Sequence, residues 1–219
     1  MKNIAVILSG CGFLDGAEIR ESVLTLLALD TEKVQYKIFA PNKNQHHVVN
    51  HLTGEEVSGS SRNILEESAR IARGKIEDIK TLNINDFDAL VIPGGFGVAK
   101  NLCSFAFDGS KASVDEQVTA TIKGFNLANK PIGAICIAPA LVALTLGAKH
   151  PTLTIGQDEA TANELEKLGA KHQVCVTSDC VVDEQNKIIT TPAYMDDPEN
   201  LADVYAGITK LIKNVIKLA

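Results

Sequence analysis

One cysteine of this chain stands where an apolar run changes into a helix-like sequence. It is Cys136, within "KPIGAICIAPALVA" at residues 130–143. The run that ends at Ile135 is typical of a buried strand, and Pro139 suits the first turn of a helix, where a missing N–H is tolerated. A residue on such a tight turn projects over the strand ends beside backbone N–H groups, as in a nucleophile elbow. A helix N-terminus also lowers the pKa of a thiol, so we predict a nucleophile; the alternative is an ordinary buried cysteine.

A second strand, within "DFDALVIPGGFG", ends in Pro93, Gly94 and Gly95. Glycine allows the backbone to turn close to a ligand. We therefore expect free amides at Gly95 and Phe96 to face an oxyanion. Many strand-to-helix turns contain glycine for backbone reasons alone, but this motif gains weight because a neighbouring strand is expected to end at Cys136.

An acidic residue follows the first strand, within "SGCGFLDGAEIRES". Glu18 is predicted early in the first helix, where it can exchange a proton with the thiol if it leans over the strand ends toward Cys136. Asp15 is a less well placed rival, and Cys11 is a candidate resolving or bystander thiol. The alternative is a plain first-turn charge that the helix dipole stabilises.

Short apolar runs alternate with helical patterns along the chain, as they do in a parallel sheet covered on both faces. Strands are predicted for "NIAVIL", "VQYKIF", "DALVIPGG", "PIGAI", "LTIG" and "QVCVTS", and a late hairpin for residues 180–190. Helices are predicted for "GAEIRESVLTLLAL", "NILEESARIA", "VDEQVTATIKGFNLA", "APALVALTLG", "EATANELEKLG" and "PENLADVYAGITKLIKNVIK". The predicted fold class is an α/β, flavodoxin-like three-layer sandwich with a mostly parallel central sheet. Ligands bind at the carboxyl ends of the strands in such sheets, where all three motifs lie.

Length and composition exclude several classes of protein. The 219 residues are enough for one α/β domain and do not require a second. A net charge of −6 without a basic stripe argues against general nucleic-acid binding. No apolar run approaches the length of a transmembrane helix, and the run from Ile4 to Leu8 is too short for a secretory signal.

The cysteines indicate the redox environment. There are five, scattered and without a CxxC, which predicts neither a disulfide framework nor a zinc site. A cytoplasmic location, or an organelle of similar reducing poise, is therefore expected.

Three of the five histidines, His46, His47 and His51, lie in one polar segment, residues 40–63. A metal site is one hypothesis for this cluster. Adjacent residues of a strand point to opposite faces, and no carboxylate or cysteine stands beside these histidines at ligand spacing. A polar insertion loop with a turn at residues 53–55 is the better interpretation, so no metal is expected.

The three motifs together resemble the class I glutamine amidotransferase-like superfamily, in its PfpI and Parkinson-associated deglycase branch. "SGCGFLDGAEIRES", "FDALVIPGGFGVAKNL" and "KPIGAICIAPAL" carry the resemblance, and "LTIGQDEAT" and "TTPAYM" extend it. Within that branch the chain is similar to the glyoxalase ElbB family, in order and spacing over nearly its whole length. The resemblance implies a single such domain over residues 1–219, assembled as a homodimer.

The resemblance also implies a site and a reaction. In relatives a glutamate from the first strand–helix loop hydrogen-bonds the elbow cysteine, and the corresponding residues here are Glu18 and Cys136. Backbone amides of the PGG turn (Gly94 and Gly95) and of Ile137 would hold an oxyanion. The implied reaction is the glutathione-independent conversion of glyoxal or methylglyoxal to a 2-hydroxy acid through the cysteine thiolate, without a metal or an organic cofactor.

The chain departs from the superfamily in its histidines. Amidotransferases and PfpI-type members complete a Cys–His–acid triad with a histidine, which in PfpI-like elbows commonly follows the cysteine directly. Deglycase-type members carry it after the next strand. Here Ile137 fills the first place and Gly156 lies near the second. His150 is a candidate substitute, with an exposed loop histidine as the alternative. Glutaminase and protease activities are therefore disfavoured. Two other functions stay open: a redox or carbonyl-stress responsive thiol protein, and a catalytically weak dimeric scaffold.

Overall fold

The apolar runs form nine strands in the computed structural model, which describes residues 1–196 and 200–219. The strands are β1 (Asn3–Ile7), β2 (Gln35–Ala40), β3 (Ile76–Asp78), β4 (Ala89–Ile92), β5 (Ile132–Ile135), β6 (Thr152–Leu153), β7 (Lys171–His172), β8 (Val181–Asp183) and β9 (Ile188–Thr191). Strands β4, β5 and β9 are buried along their whole length. Continuous burial is expected of strands in a sheet that helices cover on both faces.

Seven of these strands form one sheet in the order β3-β2-β1-β4-β5-β9-β8. All neighbouring strands in it are parallel except β8 and β9, which are antiparallel. The hairpin predicted for residues 180–190 is therefore confirmed. Strands β6 and β7 form a small separate sheet.

The helical patterns form seven α-helices over the described residues. They are α1 (Ile19–Thr31), α2 (Ile64–Ile71), α3 (Phe105–Asp108), α4 (Glu116–Leu127), α5 (Ala138–Leu146), α6 (Glu159–Lys167) and α7 (Leu201–Leu218). Several begin after a side chain that accepts backbone N–H groups of the first turn, namely Asn63, Asp115, Asp158 and Asn200. The predicted last helix includes residues 198–199, which lie outside the described part of the chain. No helix within the two described ranges combines the length and apolar character needed to cross a bilayer.

Helices pack on both faces of the sheet and give the molecule three layers. Helices α4 and α5 bury Phe125 and Leu141 in the apolar core on one face. Helices α1 and α7 bury Leu29 and Ile212 in the core on the other face. The predicted flavodoxin-like α/β sandwich is confirmed.

One predicted strand is wrong. The segment "QVCVTS" at residues 173–178 pairs with no other strand, and only Lys171–His172 before it joins β6. Val174 and Val176 are 65% and 58% exposed. The β-branched composition misled the prediction, because strand formation depends on a neighbouring strand and a buried face.

Three neighbouring strands position the candidate site. Strands β1, β4 and β5 lie side by side and run parallel, so their carboxyl ends meet at one edge of the sheet. The loop after β1 leads into α1, the PGG turn follows β4, and Cys136 follows β5. The topology therefore brings the three motifs of the sequence together.

Candidate active site

Cys136 occupies the elbow between β5 and α5. Its backbone has φ of 59°, in the left-handed region that residues other than glycine rarely adopt. Its N–H donates to the carbonyl oxygen of Thr191 on β9 at 3.0 Å, which anchors the strained turn to the sheet. The residue is only 8% exposed. Strain held in place in this way is typical of functional positions.

Glu21, in the first turn of α1, is the acidic partner of the cysteine. Its carboxyl group hydrogen-bonds the Cys136 thiol. The carboxyl group also accepts the N–H of Gly94 at 2.9 Å and the N–H of Tyr194 at 3.3 Å. The Glu21 residue is 0% exposed, so three elements hold this buried carboxyl against the sulfur.

Glu18 has a different position from the one we expected. It is the residue before α1, and its carboxylate accepts the backbone N–H of Glu21 at 2.6 Å. The expected hydrogen bond between Glu18 and Cys136 is therefore replaced by one from Glu21. The physical reason is that a side chain at the N-cap turns back to satisfy its own helix. Glu18 remains close to the site, because it lines the cavity above the sulfur.

A pattern in the sequence points to Glu21. The buried residues of α1 are Glu21, Ser22, Thr25, Ala28 and Leu29, which share one face of the helix. A glutamate on the small and apolar face of a helix must be buried against the sheet, and a buried carboxyl group needs partners. The prediction weighed Glu18 and Asp15, which lie before the helix, and did not include Glu21 within it.

Each of the two glycines of the PGG turn is required for a different structural reason. A Cβ at Gly94 would lie 2.5 Å from the Cβ of Cys136 and 2.7 Å from Oε2 of Glu21. Gly95 has φ of 97°, and a Cβ there would collide with the backbone N of Glu18. Both positions therefore require glycine so that β4, β5 and α1 can approach one another.

Two backbone amides point at the cysteine sulfur. The N–H groups of Gly95 and Ile137 both act as hydrogen-bond donors to Cys136. The amide of Phe96 does not join them, because it donates to the carbonyl oxygen of Phe13 at 2.8 Å. Gly94 uses its own N–H to hold Glu21. The structure thus places the amides of Gly95 and Ile137 beside the sulfur and gives Gly94 a supporting position. Their role as an oxyanion site stays a prediction.

The electrostatics of the pair differ from the expected activated thiolate. Burial, then the charge of Glu18, raises the pKa of Glu21 to about 8. Burial and the nearby Glu21 carboxylate raise the pKa of the Cys136 thiol well above its usual range, against the smaller opposing effect of the two amides. The expected lowering by the helix N-terminus is therefore overridden. At neutral pH the thiol keeps its proton beside a carboxyl group that is a strong base for its type.

A cavity of ≈ 550 Å³ opens above the sulfur. Aromatic, charged, hydroxyl and apolar side chains line it together with the elbow, namely Phe13, Glu18, Arg20, Gly95, Phe96, Cys136, Ile137, Asp158, Thr161, Tyr194 and Met195. The Arg20 guanidinium donates to the Tyr194 hydroxyl at 3.3 Å. The cavity is large enough for a small carbonyl compound to reach the thiol.

The candidate histidine, His150, does not lie at the Cys136 thiol. His150 follows the far end of α5, adopts a left-handed conformation and contacts the carbonyl oxygen of Gly169 through Nδ1 at 2.9 Å. At Gly156, the space a side chain would fill is taken by the carboxylate of Asp196. His51 accepts the N–H of Leu14.

The remaining candidates lie apart from the pair. The Asp15 carboxylate accepts the N–H of Val49 at 2.7 Å. Cys11 faces Glu67 and Arg70, and burial raises its pKa. The described residues contain no group of three or more His, Cys, Asp or Glu side chains placed to hold a metal ion.

The fold and the site define an α/β sandwich with a buried cysteine on a strand-to-helix elbow, and comparisons with known proteins narrow this class. A sequence model of the DJ-1/PfpI family matches residues 21–206, so the chain belongs to that family.

Several relatives are similar over almost the whole chain. Glutamine amidotransferase-like class 1 domain-containing protein 3, mitochondrial, of Homo sapiens is 43% identical, covering 98% of this chain and 82% of the relative. The ES1 protein homolog, mitochondrial, of Rattus norvegicus is also 43% identical, covering 98% and 83%. A crystal structure of an isoprenoid biosynthesis protein with an amidotransferase-like domain from Ehrlichia chaffeensis is 45% identical, with a TM-score of 0.92 over 100% of this chain and 99% of that one. DJ-1beta of Drosophila melanogaster, 19% identical with a TM-score of 0.57 over 100% and 95%, shares the fold.

These relatives correct the expected location. The human and rat proteins are mitochondrial, so the cytoplasmic expectation is wrong. The cysteine pattern on which that expectation rested does not distinguish one reducing compartment from another.

Proposed function

We propose that the protein is a glutathione-independent glyoxalase-like enzyme, which converts a small 2-oxoaldehyde to a 2-hydroxy acid. The observation that carries the proposal is the buried pair of Cys136 and Glu21 beneath an open cavity, with the amides of Gly95 and Ile137 at the sulfur. The resemblance of the motifs to the glyoxalase ElbB family supports the choice of reaction. Membership of the DJ-1/PfpI family is compatible with it.

The first step is addition of the thiol to the aldehyde. The aldehyde oxygen lies against the amides of Gly95 and Ile137, as in an oxyanion hole. The sulfur of Cys136 forms a bond to the aldehyde carbon while its proton passes to the Glu21 carboxylate. Glu21 then returns that proton to the new alkoxide, which gives a neutral hemithioacetal.

The second step moves a hydrogen between two carbons. The Glu21 carboxylate removes the C–H proton of the hemithioacetal carbon and forms an enediolate, whose charge lies on the neighbouring carbonyl oxygen. The hydroxyl proton of the former aldehyde carbon passes to that oxygen, and Glu21 delivers the proton that it took to the neighbouring carbon. The former aldehyde carbon thus becomes a thioester carbonyl, and its neighbour carries a hydrogen and a hydroxyl group. A carboxyl group with a pKa of about 8 suits both directions of transfer near neutral pH.

The third step is hydrolysis. Water adds to the thioester carbon, the carbon–sulfur bond breaks, and the thiol regains its proton as the 2-hydroxy acid leaves. Over the three steps, one 2-oxoaldehyde and one water give one 2-hydroxy acid. We assign Glu18 to this step: its carboxylate lines the cavity and can orient the water, while burial raises its pKa.

The electrostatics favour this reaction over a redox sensor at Cys136. Oxidation by peroxide requires the thiolate, and burial with the Glu21 charge raises the pKa of this thiol. A reaction in which Glu21 takes the thiol proton during attack does not need a standing thiolate. Protease and glutaminase activities in the resembled superfamily use a triad histidine beside the thiol, whereas the candidate His150 contacts Gly169 and His51 contacts Leu14.

The test measures formation of glycolate from glyoxal without glutathione. We expect turnover by the wild-type protein, and a loss of about 100-fold or more in both Cys136→Ala and Glu21→Gln. The comparison variant is Glu18→Gln, which keeps an oxygen to cap α1. Because Glu18 only orients the water of the third step, we expect this variant to lose less than about tenfold.

The contrast between the two glutamate variants is decisive. If Glu18→Gln loses as much activity as Cys136→Ala while Glu21→Gln stays active, the assignment of the proton carrier to Glu21 is wrong. If the wild-type protein is no faster than Cys136→Ala, the glyoxalase proposal fails altogether.

A further inference from the structure

Two more cysteines flank a single chain reversal on the other side of β9. The segment from Cys175 to Cys180, here called the dithiol turn, reads "CVTSDC". The N–H of Asp179 donates to the carbonyl oxygen of Val176 at 3.0 Å. This bond closes a four-residue turn, and the cysteines are the residues directly before and after it.

The turn directs the two cysteines to the same place. Its first and fourth residues, Val176 and Asp179, have Cα atoms less than about 7 Å apart, and the cysteines are the next residue on each side; a disulfide between them needs Cα atoms about 4.4 to 6.8 Å apart. A charge on Cys180 also acts on Cys175. Neither sulfur has a strong competing partner: Cys175 contacts the carbonyl oxygen of Val176 at 3.5 Å, and Cys180 accepts from the Asn214 amide at 3.6 Å.

The dithiol turn is accessible to a soluble reactant. Both cysteines are partly exposed, and the side chains of Val174 and Val176 beside them face solvent. The segment belongs to no strand or helix. The chain can therefore adjust to bring the sulfurs into bonding distance without disturbing a packed element.

We propose that Cys175 and Cys180 are a reversible redox pair that forms a disulfide within the turn, independently of Cys136. One thiolate attacks a small oxidised disulfide such as oxidised glutathione, forms a mixed disulfide and releases one glutathione thiolate. The second cysteine then attacks the sulfur of the first and releases a second glutathione. The protein loses two electrons and two protons, and oxidised glutathione gains them.

The local charges set the rate of this reaction. Burial and the Asp179 carboxylate raise the pKa of Cys175 to about 11, and the same two causes raise the pKa of Cys180. Lys210, which pairs with Asp179 at 3.1 Å, acts in the opposite direction. The disulfide should therefore form slowly at neutral pH and faster as pH rises, because only the thiolate attacks.

The dithiol turn also contacts the strand that supports the elbow. The Thr191 hydroxyl donates to the carbonyl oxygen of Asp179 at 2.6 Å, and the Thr191 carbonyl oxygen accepts the N–H of Cys136. Cys180 follows directly after Asp179, the residue that is hydrogen-bonded to Thr191, and Thr191 in turn holds the backbone of Cys136.

The test uses the whole protein equilibrated with reduced and oxidised glutathione at mildly alkaline pH. After free thiols are blocked, trypsin should release residues 172–187 as one peptide, which contains Cys175 and Cys180 and no other cysteine. We expect this peptide to lose two hydrogens in the wild-type protein and equally in Cys136→Ala, and to recover them with a reductant. In Cys180→Ser, the peptide should instead carry one glutathionyl group on Cys175.

Two results would overturn the proposal. One is a peptide that keeps two free thiols, or carries glutathione on them, at every ratio of oxidised to reduced glutathione. The other is a disulfide that joins this peptide to a different cysteine, or joins two protein chains on a non-reducing gel. Both readings come from the wild-type protein, so they do not depend on whether Cys180→Ser folds.

Discussion

Cys136 and the dithiol turn carry the same functional group in opposite settings. At the elbow, the backbone is strained, the residue is buried, and two amides and the Glu21 carboxyl group converge on one sulfur. In the dithiol turn, Cys175 and Cys180 lie on irregular chain, and each sulfur has one long polar contact.

The difference shows what each kind of chemistry requires. Addition to a bound carbonyl requires a nucleophile, a proton carrier and an oxyanion site at fixed positions, and three strand ends supply them. Disulfide exchange requires access and a second thiol nearby, and a single turn supplies both. Raised thiol pKa values are common to the two regions, so the neighbouring groups, rather than the thiol pKa alone, separate them.

The largest expected effect comes from filling the space between Cys136 and Glu21. In Gly94→Ala, the new Cβ would meet the Cβ of Cys136 at 2.5 Å and Oε2 of Glu21 at 2.7 Å. We expect a loss of stability of about 2 kcal/mol, as for overpacked cores, and a loss of about 100-fold in glycolate formation, because small displacements of reacting groups are costly. Disulfide formation in the dithiol turn should be unaffected.

The matched control is Gly54→Ala. Gly54 also resists substitution through its backbone, with φ of 77°, but a Cβ there meets nothing within 4 Å. It should cost about 1 kcal/mol of stability and leave glycolate formation intact. Equal activity of the two variants would show that the packing around the pair does not matter for catalysis.

The pH dependence of activity should follow Glu21. A base must be ionised to act, so kcat/KM should rise about tenfold per pH unit below its pKa and level off above about pH 8. The charge of Glu18 helps to raise this pKa, so Glu18→Gln should move the rise to lower pH. A rise centred near the ordinary carboxyl value of 4.5 would contradict the role of Glu21.

The pH dependence of the free energy of unfolding should also reflect the Glu21 carboxyl group. Its pKa is 4.5 ordinarily and about 8 in the folded protein, so between these values the folded state binds more protons than the unfolded state. The free energy of unfolding should therefore fall as pH rises through this window, by up to about 1.4 kcal/mol per pH unit. Glu21→Gln should lose this dependence and be more stable than wild type at pH 8, measured by urea unfolding; a parallel slope in both proteins would refute the buried carboxyl.

The smallest expected effect concerns the dithiol turn. Lys210 lowers the pKa of both Cys175 and Cys180, and its removal should disfavour the thiolates. In Lys210→Met, we expect disulfide formation to slow by a factor of about 2 to 5, the scale of an exposed charge interaction. Glycolate formation should stay at the wild-type rate. Faster oxidation in the variant would show that the lysine does not stabilise the thiolates.

Much of the fold and part of the site could be predicted from local patterns. Strand β5, the elbow and the PGG turn are continuous segments whose residue types indicate their geometry, so the sequence predicted where Cys136, Gly95 and Ile137 lie in the fold. The segment at residues 173–178 was mistaken for a strand because β-branched residues were present while a pairing partner was not. Propensity describes a residue, whereas strand pairing depends on the rest of the chain.

The acidic partner of Cys136 shows most clearly what could not be predicted from the sequence alone. The sequence by itself determined that an acidic residue would follow β1 at the same edge of the sheet as Cys136, because alternating strands and helices imply parallel strands whose carboxyl ends share one edge. Only the tertiary structure decided between Glu18 and Glu21, since the start of α1 is set within a few residues by capping and packing. Once the helix begins at Ile19, Glu18 must cap it and Glu21 must face the sheet. The burial that follows raises the pKa values of both Glu21 and Cys136.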